Sequence, residues 1–316
     1  MAWNWGVDAL RDYALPSLLQ RDNIPWLLQN DFEVTFNVFT LPNDADRLRE
    51  MLQDAFGRVT FSSNAPSKAL TVNVLPTDHD PSDTLGVKRL AFLAQCQLAT
   101  EAGAPILITG SDAFYGNGSI RNICLYARKP GVATGVLSTR VKRDPFLRLL
   151  QEYQRTFPGR PVSNAKLVDM ALRTQIEAAE LSDVDRDRNT SFTTGSSFRR
   201  LSDDIHVGIY HLPSPVMFWP EKTDTWFFDY WCKGYYQSLD HIWPAKLVAQ
   251  RRWRVLASSD IFFLAELTPE EEEVAKHRYQ PEDHRLFNEA FAMELPHTVH
   301  SEMVVATLRR EWYLAP

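Results

Sequence analysis

The segment at residues 105–120, PILITGSDAFYGNGSI, has the residue types of a ligand-binding turn. A short apolar run leads to Asp112, and Asn117 follows between two glycines, before Ser119, a candidate helix cap. In an open α/β sheet, ligands bind at the carboxyl ends of the strands, where Asp112 would lie. A carboxylate there can hold a divalent cation against a diphosphate or bond a ribose hydroxyl. The alternative is an ordinary strand-to-helix turn, in which these residue types are common.

Two further residues are candidates for acid–base or ligand chemistry. His211 follows a segment of alternating polarity, where it is either a ligand or base, or a half-buried histidine with a hydrogen bond. Asp240, beside His241, is either a general base for an acceptor hydroxyl or part of a surface pair. The aromatic residues between positions 219 and 243 suit stacking on sugar rings, but such density is more typical of a core.

Several well-defined motifs do not occur in the sequence. It contains no G-x-x-x-x-G-K-[ST], no G-x-S-x-G and no H-E-x-x-H, and no glycine-rich turn follows the first predicted strand. These observations argue against a P-loop enzyme, an α/β-hydrolase, a zincin and a classical dehydrogenase. A methyltransferase on a Rossmann-like sheet is disfavoured for the same reason.

Composition narrows the class of protein. The 316 residues include 34 Lys and Arg against 40 Asp and Glu, a formal charge of −6, which disfavours binding to nucleic acid. The three cysteines are far apart and form neither a zinc motif nor a disulfide framework, so a reducing cytoplasm is expected. No apolar run approaches the roughly 20 residues of a membrane span, and the N-terminal residues do not resemble a secretory signal. The amphipathic N-terminal segment is expected to pack on the rest of the protein. The alternative is peripheral contact with a membrane surface.

Alternating strand-like and helix-like segments in the first half predict βαβ units in a doubly wound, mostly parallel sheet with helices on both faces. The predicted strands are 32–40, 59–62, 70–75, 105–109 and 132–137, and the predicted helices are 43–56, 84–102, 119–127 and 144–156.

The second half predicts a more elaborate α+β arrangement. A helix is expected at 162–181 with Ser163 as its cap, then a mobile polar loop at about 182–200, and a helical tail. Short strands are expected at 205–210, 215–219, 253–258 and 261–267. The expected halves of the chain are 1–160 and 161–316.

Three stretches of the chain resemble a group of bacterial glycosyltransferase-like proteins with the GT-A fold. They are LPSLLQRDNIPWLL with FNVFT near the start, SDAFYGNGSI in the middle, and RVLASSDIFFLAEL late in the chain. The middle stretch is similar to a family pattern P-D-T-V-F-S-D-G-S-L. Asp112 matches its first aspartate, and Asn117 replaces the second.

Three shorter elements extend the resemblance. LSTRV is similar to a G-L-R-V element, which aligns Arg140 with the arginine of the family. YHLPSPVMF resembles a histidine-proline element, which aligns His211 but has Leu212 inserted before the proline. SLDHI resembles an I-D-x-D element that keeps Asp240 and has Ile242 in place of the second aspartate.

The resemblance implies transfer of a sugar from a nucleotide diphosphate donor to a glycan, lipid-linked or protein acceptor. The first half would bind the nucleotide-sugar and the second half the acceptor, in one GT-A-like unit. The implied donor-binding residues are Thr40, Asp112, Asn117 and Arg140, and the implied catalytic residues are Asp240 and His211.

The metal requirement stays open in this comparison, because one carboxylate stands where the family has Asp-x-Asp. Asp112 and His211 would bind Mn²⁺ or Mg²⁺, or else Arg140 or Lys142 would offset the charge of the diphosphate without a metal. The alternative function is a non-catalytic module that binds a glycan or a partner on a degenerate glycosyltransferase fold.

Overall fold

The computed structural model describes residues 2, 5–63, 69–77, 84–126, 132–136, 138–176, 196–202, 205–210, 215–224, 247, 250–256, 258–269 and 304–309. The chain divides into two compact units that alternate along the sequence. Unit 1 comprises Met1–Val132 and Val216–Leu239, and unit 2 comprises Ala133–Pro215 and Asp240–Pro316. The division into halves at residue 160 stays a prediction.

Unit 1 begins with consecutive short helices: α1 (Trp5–Ala9), a π-helical turn (Leu10–Ala14), α2 (Leu15–Leu18) and α3 (Ile24–Gln29). Val7, Ala14 and Leu18 on these helices are inaccessible to solvent. Their apolar side chains therefore belong to the core of unit 1. The expectation that this segment folds onto the body is confirmed.

A parallel βαβ unit follows. Strands β1 (Val34–Thr40) and β2 (Leu70–Pro76) are parallel, with Val34 opposite Leu70 and Thr40 opposite Pro76. Between them in sequence lie a 3₁₀ turn (Pro42–Asp44) and helix α4 (Ala45–Ser63). This confirms the βαβ prediction for this part of the chain.

The strand predicted at residues 59–62 is wrong, because these residues complete α4. Leu48, Leu52, Phe56 and Val59 are all buried, and their spacing of four, four and three residues keeps them on one helical face. Helical burial of Val59 therefore outweighs the strand preference of a β-branched residue, which depends strongly on context.

The rest of unit 1 combines helices with very short strands. Its elements are α5 (Thr84–Ala102), β3 (Ile106–Leu107), β4 (Ala113–Tyr115), α6 (Ser119–Tyr126) and β9 (Pro215–Phe218). Strand β3 pairs with β9 in the antiparallel direction. The expectation of a central parallel strand at 105–109 is therefore wrong in length and direction. An apolar run signals burial, but its strand partner comes from a distant part of the chain.

Unit 2 contains the remaining elements: β5 (Ala133–Val136), β6 (Thr139–Lys142), α7 (Arg143–Thr156), α8 (Asn164–Arg173), β7 (Ser196–Ser202), β8 (Ile205–Tyr210), β10 (Trp253–Leu256), β11 (Leu264–Thr268) and β12 (Val304–Arg309). Strand β10 pairs with β5, and β11 with β6, in the parallel direction. Strands β7 and β12 flank β8 in the antiparallel direction.

Ser163 is confirmed as the cap of α8, since its Oγ accepts a hydrogen bond of 3.3 Å from Lys166 N. The helix ends at Arg173, before the expected 181, because the chain turns there to bridge Gln175 to Val141 of β6. Of the loop expected at 182–200, residues 182–195 lie outside the described residues, while Ser196 begins β7.

The expected helical tail is also wrong where it is described, because residues 304–309 form β12. Backbone pairing with β8 decides this conformation, which the β-branched residues of VVATLR favour.

The strands form small sheets of two to four strands that mix parallel and antiparallel pairs. The α/β class is confirmed, although the pairing is less parallel than predicted. Within the described residues, no helix is both long enough and apolar enough to cross a bilayer.

The core of unit 1 contains a thiol and a carboxylate that are both inaccessible to solvent. Cys96 lies on α5, and Asp224 accepts a hydrogen bond of 2.7 Å from Glu221 N. Burial, and secondly the negative charge of Asp224, raise the pKa of the Cys96 thiol above its ordinary value of 9.0. Cys96 therefore stays protonated in the folded protein.

We expect this thiol to make stability fall at alkaline pH. Above about pH 9 the unfolded state loses the Cys96 proton and the folded state keeps it, so the free energy of unfolding declines by up to about 1.4 kcal/mol per pH unit. Urea unfolding between about pH 8 and pH 11 should give a steeper decline for the wild type than for Cys96→Ala. Cys124→Ala, which alters a half-buried cysteine, is the control. Equal slopes for the wild type and Cys96→Ala would contradict the expectation.

Candidate functional site

The strand that follows Asp112 is fixed to the N-terminal helices. Tyr115 on β4 is almost completely buried, and its backbone N donates a hydrogen bond of 3.1 Å to Ser17 Oγ. Its phenolic oxygen accepts a hydrogen bond of 3.3 Å from Gly110 N. Ser17 is itself buried and donates to Ala14 O at 2.8 Å. The turn that carries Asp112 therefore has a defined backbone position.

A second buried side chain, Asn23, connects the same two segments. Its Nδ2 donates to Ser17 O at 2.8 Å and to Gly116 O at 3.1 Å. Its Oδ1 accepts a hydrogen bond of 3.0 Å from Ile120 N in the first turn of α6. One side chain thus pairs with backbone groups on both segments and caps the start of α6 from elsewhere in the sequence.

Asn117 is held by reciprocal hydrogen bonds to Asp22. Its Nδ2 donates to Asp22 Oδ2 at 2.8 Å, and its Oδ1 accepts from Asp22 N at 3.0 Å. Gly118 follows with φ of +85°, a conformation that favours glycine. Both polar groups of the Asn117 side chain are therefore engaged in holding residue 22. Its role in donor binding stays a prediction.

Asp112 is half-buried and lies in a tight turn. A Cβ atom on Gly110 would lie 2.9 Å from Asp112 Oδ1, and one on Gly6 would lie 3.2 Å from Ser111 Oγ. These approaches leave little room for side chains at positions 6 and 110. The glycines allow the turn to pack closely with the carboxylate of Asp112 in its observed place.

Thr40 ends β1, at the carboxyl end of the parallel pair. Its side chain is inaccessible to solvent, and among the described residues its hydroxyl has no hydrogen-bond partner. Its carbonyl oxygen accepts hydrogen bonds from Thr77 N at 2.8 Å and from Thr77 Oγ1 at 3.4 Å. An unpaired buried hydroxyl is destabilising by about 1–3 kcal/mol, so Thr40 stands out among the buried polar groups of unit 1.

Arg140 lies on β6 in unit 2 and is paired with an acidic residue. Its Nε donates a hydrogen bond of 2.9 Å to Glu266 Oε2, and Glu266 is the residue directly opposite on β11. Ser138 Oγ donates to the other carboxylate oxygen of Glu266 at 3.3 Å. Arg140 is thus an anchored cation on a strand, and its predicted contact with phosphate is untested.

The remaining predicted residues, His211 and Asp240, lie outside the described residues. Within the described part of the chain, no group of three or more His, Cys, Asp or Glu residues has the arrangement of a metal site. Asp112 is the described member of the predicted ligand pair. Metal binding therefore stays a prediction.

Sequence reasoning missed Ser17, Asn23 and Glu266. Asn23 precedes Ile-Pro in the N-cap position of α3, yet its side chain makes no cap bond there and reaches α6 instead. Sequence rules for helix caps consider only the helix that directly follows the capping residue, so they assign Asn23 to α3. Glu266 stands within the alternating pattern of LAELT, which indicates its face of the strand but not its partner.

Comparison of the chain with models of protein families, with curated proteins and with solved structures finds no match.

We expect Asn23→Ala to destabilise unit 1 by about 2–3 kcal/mol, because it leaves buried backbone groups of α6 and the preceding turn without partners. Asn30→Ala is the matched control, since Asn30 is exposed and its side chain donates a hydrogen bond of 2.8 Å to Trp26 O. The midpoint of urea unfolding, followed by tryptophan fluorescence, measures the difference. Similar midpoints for the two variants would show that the Asn23 contacts contribute little.

Proposed function

We propose that the protein is a glycosyltransferase that moves a sugar from a nucleotide diphosphate donor to a glycan, lipid-linked or protein acceptor. The observation that carries the proposal is the parallel β1–α4–β2 unit, which ends at Thr40, whose buried hydroxyl has no hydrogen-bond partner among the described residues. Ligands of open α/β folds bind at the carboxyl ends of parallel strands. The GT-A-like arrangement implied by the motif resemblance is part of this proposal.

In the proposed reaction, the acceptor hydroxyl attacks the anomeric carbon of the donor sugar. The new glycosidic bond forms as the bond from that carbon to the diphosphate oxygen breaks, and the nucleoside diphosphate leaves with the bonding electrons. Asp240 or His211 would take the proton of the acceptor hydroxyl as general base. The protein must also stabilise the negative charge that develops on the leaving group.

Asp112 would contribute at the donor diphosphate. Mg²⁺ in proteins is often held by one or two carboxylates together with phosphate oxygens of the substrate, so a single half-buried carboxylate fits one position of such an ion. If His211 is the second protein ligand of such an ion, Asp240 is the base for the acceptor hydroxyl. A bound Mg²⁺ or Mn²⁺ supplies Lewis-acid stabilisation of the leaving group. Considered by itself, unit 2 offers Arg140 as a proposed cation for a phosphate anion.

A second candidate function is a module that binds a glycan or partner without catalysis. Asn117, which stands where the family pattern has an aspartate, uses both its polar groups on Asp22. This contact favours a scaffold in which one of the implied donor-binding residues serves the fold. Binding by such a module would not depend on Asp112.

We expect one nucleoside diphosphate from a panel to raise the thermal midpoint of the wild-type protein, with or without Mn²⁺. A ligand that binds only the native state stabilises it by about 2.7 kcal/mol at a hundredfold excess over Kd. Asp112→Ala should abolish the shift, because it removes the carboxylate proposed to engage the diphosphate or its metal. Asp46→Ala is the control, since that carboxylate is highly exposed on α4.

A panel without any shift would argue against the transferase and for the binding module, which a glycan screen would then test. A nucleotide shift that survives Asp112→Ala would remove Asp112 from the donor site. A shift that requires Mn²⁺ would favour the metal-assisted departure of the diphosphate over a metal-free one.

A further inference from the structure

We propose that Glu266 is the positioning residue that fixes the direction in which Arg140 presents its guanidinium group to a phosphate anion, with Ser138 holding Glu266 in turn. All three residues belong to unit 2. The inference rests on the proposed phosphate-binding role of Arg140. It adds two residues that the sequence motifs do not single out.

The backbone beneath Arg140 is held on both sides. On one side β6 pairs with β11, which places Glu266 directly opposite Arg140 in a parallel register. On the other side, Ile176 N donates to Arg140 O at 3.3 Å, and Val141 bridges Gln175. Residues opposite one another on neighbouring strands project from the same face of the sheet, at a spacing of about 4.8 Å. The backbone that carries the Arg140–Glu266 pair is therefore held by strand pairing and by hydrogen bonds.

The geometry of the guanidinium leaves its recognition edge available. Arg140 uses Nε for the 2.9 Å hydrogen bond to Glu266, and within the described residues Glu266 is the hydrogen-bonding partner of its side chain. The end of the guanidinium, which carries one N–H from each Nη atom, is a different edge from the one that bonds Glu266. A guanidinium presents these donors as a planar fork that matches two phosphate oxygens. The side chain is 43% exposed, so an anion can reach it.

Glu266 is itself anchored by both oxygens. Oε2 accepts from Arg140 at 2.9 Å, and Oε1 accepts from Ser138 Oγ at 3.3 Å. A carboxylate held at two points limits the rotation of the arginine bonded to it. Ordering a long side chain during binding weakens association, so an arginine ordered in advance should bind its anion about three- to tenfold more tightly.

Charge neutralisation is the opposing effect of Glu266, since its carboxylate also reduces the positive potential at Arg140. Both side chains are more than one-third exposed, and solvent screens pairs of this kind strongly. We therefore expect positioning to exceed neutralisation. The two effects are separable, because Glu266→Gln and Glu266→Ala remove the same charge, and glutamine alone keeps an acceptor for the Nε–H group.

The test is calorimetric titration of the full chain with inorganic pyrophosphate at low ionic strength. We expect Glu266→Gln to bind about three- to tenfold more tightly than Glu266→Ala. Glu152→Ala removes an exposed carboxylate from α7 in the same unit and should bind like the wild type. Equal affinities for the two Glu266 variants would overturn the proposal, even if both bind more tightly than the wild type.

The ¹H–¹⁵N NMR signal of Arg140 Nε provides a readout that does not require a ligand. The Nε–H proton should exchange slowly with water in the wild type and in Glu266→Gln, and rapidly in Glu266→Ala. Slow exchange in Glu266→Ala would also overturn the proposal, because Arg140 would then be ordered without Glu266.

The outcomes for Glu266 and for the glycosyltransferase are distinguishable. If a nucleoside diphosphate binds but the two Glu266 variants do not differ, the positioning role fails and the proposed function stands. If pyrophosphate distinguishes the variants but no nucleoside diphosphate binds, the anion site stands and the proposed function fails. Failure of pyrophosphate to bind the wild type would remove Arg140 and Glu266 from phosphate recognition altogether.

Discussion

The buried side chain of Asn23 is the interaction on which the candidate site in unit 1 depends. It satisfies two carbonyl groups and one N–H group that have a large desolvation cost if left unpaired. Those groups belong to the N-terminal segment, to the turn after β4 and to the first turn of α6. The Asn23 amide therefore links the N-terminal segment, which precedes Asp112 in sequence, to the turn and the helix that follow Asp112. Ser17 adds a second buried link to Tyr115.

The Asn23 contacts determine which polar residues of the turn make hydrogen bonds within the protein. Asn117 lies beside the Asn23 contacts and is engaged with Asp22, which precedes Asn23 in sequence. Asp112 lies earlier in the turn, where Gly110 leaves space for its carboxylate. In unit 2, Arg140 and Glu266 form a comparable case, because strand register brings opposite charges together on one face. In both places, residues with the types of a binding site make hydrogen bonds to partners far away in sequence.

Helical periodicity was the most reliable signal in the sequence. It predicted α5 (Thr84–Ala102) with its observed ends, and the cap at Ser163 follows from local hydrogen bonding. Strand predictions were confirmed for long runs such as β1 and β2 and also for short ones such as β5, β8 and β10, but they failed at residues 59–62 and 105–109. Short apolar runs suit a buried helix and a buried strand equally well, so only the packing partner separates them. The conformation of residues 304–309 was decided in the same way, by pairing with β8.

The sequence by itself determined the α/β class and the βαβ unit at the start. These follow from local patterns, because helix faces, strand alternation and turn residues are properties of neighbouring positions. Turn residues indicate Asp112 and Asn117 as candidates, and the family resemblance implies Thr40 and Arg140. Only the tertiary structure decided which of those residues already have partners. Asn117 meets Asp22, and Arg140 meets Glu266, through contacts between positions far apart in the chain. Such contacts depend on how complete elements pack, which no local pattern contains.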